Sequence, residues 1–185
     1  LDELVETFDL SSVNKAGAKF DPEKTKWFQH HYLQTKDNET LTSLFSKLLE
    51  DKGIAPNKNL SIIVESIKER ATFVSDLWEQ GSYFFEAPTT YDEKASKKAF
   101  KEGTSELMSE VLSLLNQCDE FTSGEISNKV KEWLTSQEIG FGKVMMPLRL
   151  SLVGEMKGPD VFDIAAILGK EETISRIKKT ISFLS

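Results

Sequence analysis

The chain has 185 residues, 39% of them hydrophobic, which suffices for a real core in one large domain or two small ones. No apolar run approaches the roughly 18 residues of a membrane span and the first residues lack a basic, then apolar, leader pattern, so the sequence reads as a soluble cytoplasmic protein with no membrane association. A formal charge of −7 argues at first sight against a nucleic-acid partner, while the lone Cys118, with only His30 and His31 beside it, excludes an internal disulfide and a Cys/His zinc set.

Helical periodicity dominates from the first residues. Leu1-Asp2-Glu3-Leu4-Val5 reads as the interior of a helix and, with no initiating Met, as part of a longer chain. Residues 13–36 carry five Lys against Asp21 and Glu23, a local balance of +3 that includes Lys15, Lys19, Lys24 and Lys26. Such lysines suit backbone phosphates, although each alone is more commonly a solvated surface group. Trp27, Phe28 and Tyr32 are expected to join subdomains by packing, and the adjacent His30 and His31 diverge too far on a helix to form a metal pair.

Leu41, Leu44, Phe45, Leu48 and Leu49 fall on one helical face, and Leu60, Ile63, Val64, Ile67, Ala71 and Val74 repeat the pattern. Residues 51–59 and 85–91 read as loops, and Asp92 as the start of a helix through Phe100. Trp78, Tyr83, Phe84 and Phe85 are expected to pack as core and hinge. Further stripes run through Leu107, Met108, Val111, Leu112 and Leu115, then through Ile126, Val130, Trp133 and Leu134. The last helix starts near Lys170, with Ile174, Ile177, Ile181 and Leu184 inward and Lys178 and Lys179 outward. No useful strand alternation occurs, so the fold expected is all-α, with about nine to eleven helices divided at residues 1–36, 37–116 and 117–185.

The stretch from Gly142 to Glu171 carries the strongest local signal. Pro147 and Pro159 each read as the first turn of a short helix, and Gly154 and Gly169 as the residues just past its end. Two helix N-termini close in sequence present unpaired N–H groups and partial positive charge, which suit a phosphate or the edge of an unpaired base. Arg149 then lies in the first turn as a planar donor fork, and residues 141–185 are locally basic at +2. Taken alone, an Arg at position 149 more commonly caps or pairs with a neighbouring helix, and Met145 reads as core.

At Pro147-Leu148-Arg149, Gly158-Pro159 and Leu168-Gly169-Lys170-Glu171 the chain resembles the C-terminal part of bacterial glutamyl-tRNA synthetase. A second match covers Leu1-Asp2-Glu3, Phe8-Asp9-Leu10, Val13-Asn14-Lys15, Ala18-Lys19-Phe20-Asp21 and Lys26-Trp27-Phe28. The resemblance implies an all-helical anticodon-binding region of two subdomains, 37–116 and 117–185, preceded by the end of a stem-contact region at 1–36. It implies that Arg149 and Met146 meet the middle anticodon base. Gly158, Pro159 and Val161 would meet the first base through backbone groups and the Val161 side chain, and Arg70 the third, where a donor-only guanidinium suits cytosine acceptors. The partner implied is tRNA(Glu), bound by a monomer.

The parent enzyme implied uses ATP and magnesium to join glutamate to that tRNA. This chain contains neither the His-Ile-Gly-His-like nor the Lys-Met-Ser-Lys-Ser-like element of the family, so no catalytic residue, metal site or cofactor is expected in it. Without the resemblance, an all-helical protein-interaction module that binds a basic partner through its acidic middle fits the same composition.

Overall fold

The computed structural model describes residues 2–10, 19–56 and 59–184 of the chain. Lys15 and the Val13-Asn14-Lys15 match lie outside them. Eleven α-helices and no strand occur among the described residues. In chain order they are α1 (Asp2–Thr7), α2 (Pro22–Thr35), α3 (Asn38–Asp51), α4 (Leu60–Ile67), α5 (Asp76–Gly81) and α6 (Glu93–Ala99), then α7 (Thr104–Asn116), α8 (Ser123–Ser136), α9 (Gly142–Val153), α10 (Val161–Leu168) and α11 (Lys170–Leu184). Single 3-10 turns follow α4 at Lys68–Arg70 and α5 at Ser82–Phe84.

Short polar side chains start many of these helices by accepting from N–H groups that lack an intrahelical partner. Asp21 accepts from Glu23 and Lys24 N–H ahead of Pro22, Asp37 from Thr40, Asp92 from Ala95, Thr122 from Glu125 and Asp160 from Phe162. The hydrogen bonds from the Thr40 side chain and backbone hold the Asp37 carboxyl below its ordinary value.

The stripes converge on one continuous core that runs from Leu33 to Ile177. Leu41, Phe45, Leu49, Ile63, Val64, Ile67, Met108 and Ile126 are completely enclosed. Helix α11 lies along α7 and α9, α3 along α4, and α8 along α10. A smaller cluster of Ala95, Ala99 and Leu150 packs with Tyr91, Phe100 and Met146 on the other side of α9.

Three features depart from what the sequence predicts. Helix α4 ends at Ile67 and tightens into the Lys68–Arg70 turn, so Arg70 is on a 3-10 turn rather than a continued helix. Helix α2 docks through buried Leu33, through His30, whose Nδ1 lies 2.9 Å from the Ala71 carbonyl, and through Gln34 Nε2, which donates to the Lys68 carbonyl at 2.7 Å. Its aromatic face does not join subdomains among the described residues. Trp27 and Tyr32 are about 60% exposed, and Trp27 stacks on His31. Finally, the buried stripe of α11 is Thr173, Arg176, Ile177 and Thr180, while Ile174, Ile181 and Leu184 are half-buried.

Candidate functional site

Helix α9 begins at Gly142, five residues before Pro147, so that proline lies inside the helix and Arg149 in its middle. A proline there has no N–H for the carbonyl four residues back and normally breaks a helix. Here the enclosed Val144, Leu148, Leu150 and Leu152 hold α9 to its neighbours through that gap. Pro159, by contrast, lies before the first turn of its helix, since Asp160 is the N-cap of α10. The expected pair of proline-led helix ends is therefore replaced by one helix middle facing one turn. The expected stops do occur: Gly154 ends α9 at φ +83° and Gly169 follows α10 at φ +84°.

Arg149 is tied to that turn. Its Nη1 donates to the Lys157 carbonyl at 2.8 Å and the Pro159 carbonyl at 2.7 Å, with the Gly158 carbonyl at 3.5 Å. Both Nη1 protons are thereby used. Nε and Nη2 make no hydrogen bond among the described residues, and the side chain is half-buried. Burial pulls the guanidinium below its ordinary value, and the nearby Asp160 carboxylate pushes it back up. An arginine remains charged under such a shift, so the free edge is a cationic donor held in a fixed orientation.

The turn itself rests on Tyr83. Gly158 has φ +92°, a left-handed conformation that favours glycine, and a Cβ there would stand 2.6 Å from the Tyr83 hydroxyl. Lys157 Nζ fastens the turn to α5 by donating to the Glu79 carbonyl at 3.1 Å, and pairs with Glu155 at 3.2 Å. Tyr83 is buried, its hydroxyl has no hydrogen-bond partner, and desolvation pushes that hydroxyl up to about 12. The charges of Arg149 and Arg70 both act on it, and Arg70 also acts on Arg149. Arg70 is exposed and uses one nitrogen on the Ser66 carbonyl at 3.3 Å. The charges of two arginines 79 positions apart in the chain, Arg70 and Arg149, thus both reach the tyrosine that lies against the glycine turn.

The other expected site residues differ in how far they reach the surface. Val161 is enclosed in the core, so its side chain is not a surface for a base, and the turn offers Gly158, Pro159 and backbone instead. Met146 is half-buried against the smaller cluster and lines a cleft at the start of α9 with Lys98, Lys101 and Lys143. Met145 packs partly buried on the main core. Lys19, Lys24 and Lys26 are exposed; Lys26 pairs with Glu23 at 3.1 Å and Lys24 lies over the Phe28 ring.

The sequence reading did not single out Arg176 or Asp160, and took Tyr83 for packing alone. Arg176 is buried, donates through Nη1 to the Tyr83 carbonyl at 2.7 Å and the Leu152 carbonyl at 2.6 Å, and pairs with Glu172 through Nε at 2.7 Å. It ties the end of α9 to the turn that carries Tyr83. Its one sequence signal is the 173-176-177-180 spacing, which is helical but mostly polar. Among the described residues no His, Cys, Asp or Glu group forms a metal cluster, and no helix is long and apolar enough to cross a membrane.

The all-helical frame that carries these residues has counterparts among known proteins. The family described as anticodon binding domain matches residues 31–181. The chain belongs to the anticodon binding domain family. It is 57% identical over its whole length to a glutamate–tRNA ligase of Flavobacterium johnsoniae and 43% identical to one of Porphyromonas gingivalis. It spans 37% and 36% of the length of those two relatives. The crystal structure of a glutamate tRNA ligase from Elizabethkingia meningosepticum in complex with its amino acid superposes with a TM-score of 0.93 at 46% identity, over all of this chain and 37% of that one. The all-helical fold of the anticodon binding domain family is thus present over residues 31–181, and the chain as a whole follows that crystal structure.

Proposed function

We propose that this chain is the C-terminal, tRNA-reading region of a glutamate–tRNA ligase and that its partner is tRNA(Glu). The observation that carries the reading is the Arg149 clamp, in which one nitrogen fixes the Gly158 turn and the opposite edge of the guanidinium is left to donate. Single-stranded RNA is recognised by splaying its bases onto such fixed donors and backbone turns. A donor already held by two carbonyls loses little freedom when a base arrives. Arg149 and the Gly158–Pro159 turn would meet adjacent anticodon bases, Arg70 a third, and Met146 would pack beside the middle one. Lys15, Lys19, Lys24 and Lys26 would contact the stem backbone, a role consistent with the +3 balance of residues 13–36.

In this proposal the parent enzyme, working as a cytoplasmic monomer, uses ATP and magnesium elsewhere in its length, and this region contributes binding and positioning only. The boundaries at 36/37 and 116/117 divide a stem-contact end from two anticodon-reading parts. Arg149→Ala should cost about 1–3 kcal/mol of discrimination between tRNA(Glu) and an anticodon-swapped tRNA, measured by filter binding. Equal discrimination by both proteins would defeat the proposal.

A further inference from the structure

We propose that Tyr83 is a specificity-determining residue of this site, its hydroxyl bonding the base seated over the Gly158 turn. The inference rests on the anticodon reading above and adds to it a residue that no motif singles out. Three observations carry it. The side chain is 3% exposed and its hydroxyl is one of the few buried polar atoms without a partner. A native protein seldom retains such a group unless it serves strain, binding or chemistry. The hydroxyl also lies directly under the turn, at 2.6 Å from where a side chain at 158 would begin, so glycine places backbone but no side chain over it.

The third observation is chemical. Arg149 is tied to the turn over the hydroxyl and the charge of Arg70 also reaches it, and a guanidinium only donates. The pairing edge of a base mixes donors with acceptors, so two arginines match half of it. A phenolic hydroxyl both donates and accepts, and burial keeps this one protonated well above neutral pH. It therefore offers an acceptor to a base N–H beside the donors of Arg149. Access needs a local shift of the Gly158 peptide between the Lys157 and Pro159 carbonyls that Arg149 holds, which a residue free to adopt φ of either sign permits.

The test uses the 185-residue chain, as wild type and Tyr83→Phe, with anticodon stem-loops of tRNA(Glu) carrying the matched or a swapped first anticodon base. Phenylalanine keeps the ring and removes the orphan hydroxyl. The expected result is a Tm equal to or above wild type, with affinity for the matched loop reduced about tenfold and discrimination reduced by the same factor. Unchanged affinity and discrimination would overturn the role of Tyr83 while leaving the anticodon reading intact. A joint loss of Tm and affinity would make Tyr83 structural and also overturn it. Wild-type protein that fails to discriminate would overturn the anticodon reading itself.

Discussion

Gly158→Ala probes how tightly the turn is set on Tyr83. At φ +92° an L residue is strained by roughly 1–2 kcal/mol. The new Cβ would also stand 2.6 Å from the Tyr83 hydroxyl, 3.3 Å from Tyr83 Cζ and 3.3 Å from Ile164 Cδ1. The first distance is far inside contact, and both neighbours are buried, so neither swings away. Overpacking of this kind costs a further ~1–3 kcal/mol, which brings the expected loss to about 2–5 kcal/mol. Tyr83→Phe removes the atom at 2.6 Å but leaves the backbone strain and the ring. In the double variant the alanine penalty should therefore shrink by ~1–2 kcal/mol. Urea unfolding of the four proteins measures this coupling, provided the slopes agree. Additive losses would show that the hydroxyl is not what a side chain at 158 meets, and would refute the packing described for the turn.

Where local pattern and burial coincide, the sequence was readable. Leu41, Phe45 and Leu49 are enclosed as their spacing requires, Asp92 caps α6, and Gly154 and Gly169 stop their helices. The extra turn and a half at the start of α9 was not legible, because tertiary packing of Val144 and Leu148 outweighs the cost of Pro147 and nothing in the local sequence reports that packing. The exposed Trp27 face of α2 was misread for the opposite reason: aromatic residues announce apolar area without saying what covers it. Arg149 was legible as a site residue, but its role as a clamp was not. Its acceptors are turn carbonyls eight and ten residues away, and any residue type supplies a carbonyl. Arg176 is harder still, since its partner Tyr83 is 93 residues away.

Two further outcomes follow from the same cluster. Arg176→Met keeps a similar stem but leaves the Tyr83 and Leu152 carbonyls without their donor, and should lower the unfolding free energy by about 3 kcal/mol in urea titration; a loss under ~1 kcal/mol would mean that these bonds stabilise little. The last prediction concerns alkaline pH. Burial pushes the Tyr83 hydroxyl from its ordinary 10.0 to about 12, against the opposing pull of Arg149 and Arg70, so the folded chain holds this proton more tightly than the unfolded one. Its contribution is present in full below pH 10 and is lost as pH rises to about 12, because the unfolded chain ionises first. Within that window the loss approaches ~1.4 kcal/mol per pH unit, added to whatever other groups titrate there. Tyr83→Phe has no proton to lose at this position, so its stability should fall less steeply than that of wild type when urea midpoints are compared on the two sides of pH 10. Parallel decline of the two proteins would place the Tyr83 hydroxyl in contact with water, which contradicts both its burial and its role under the turn.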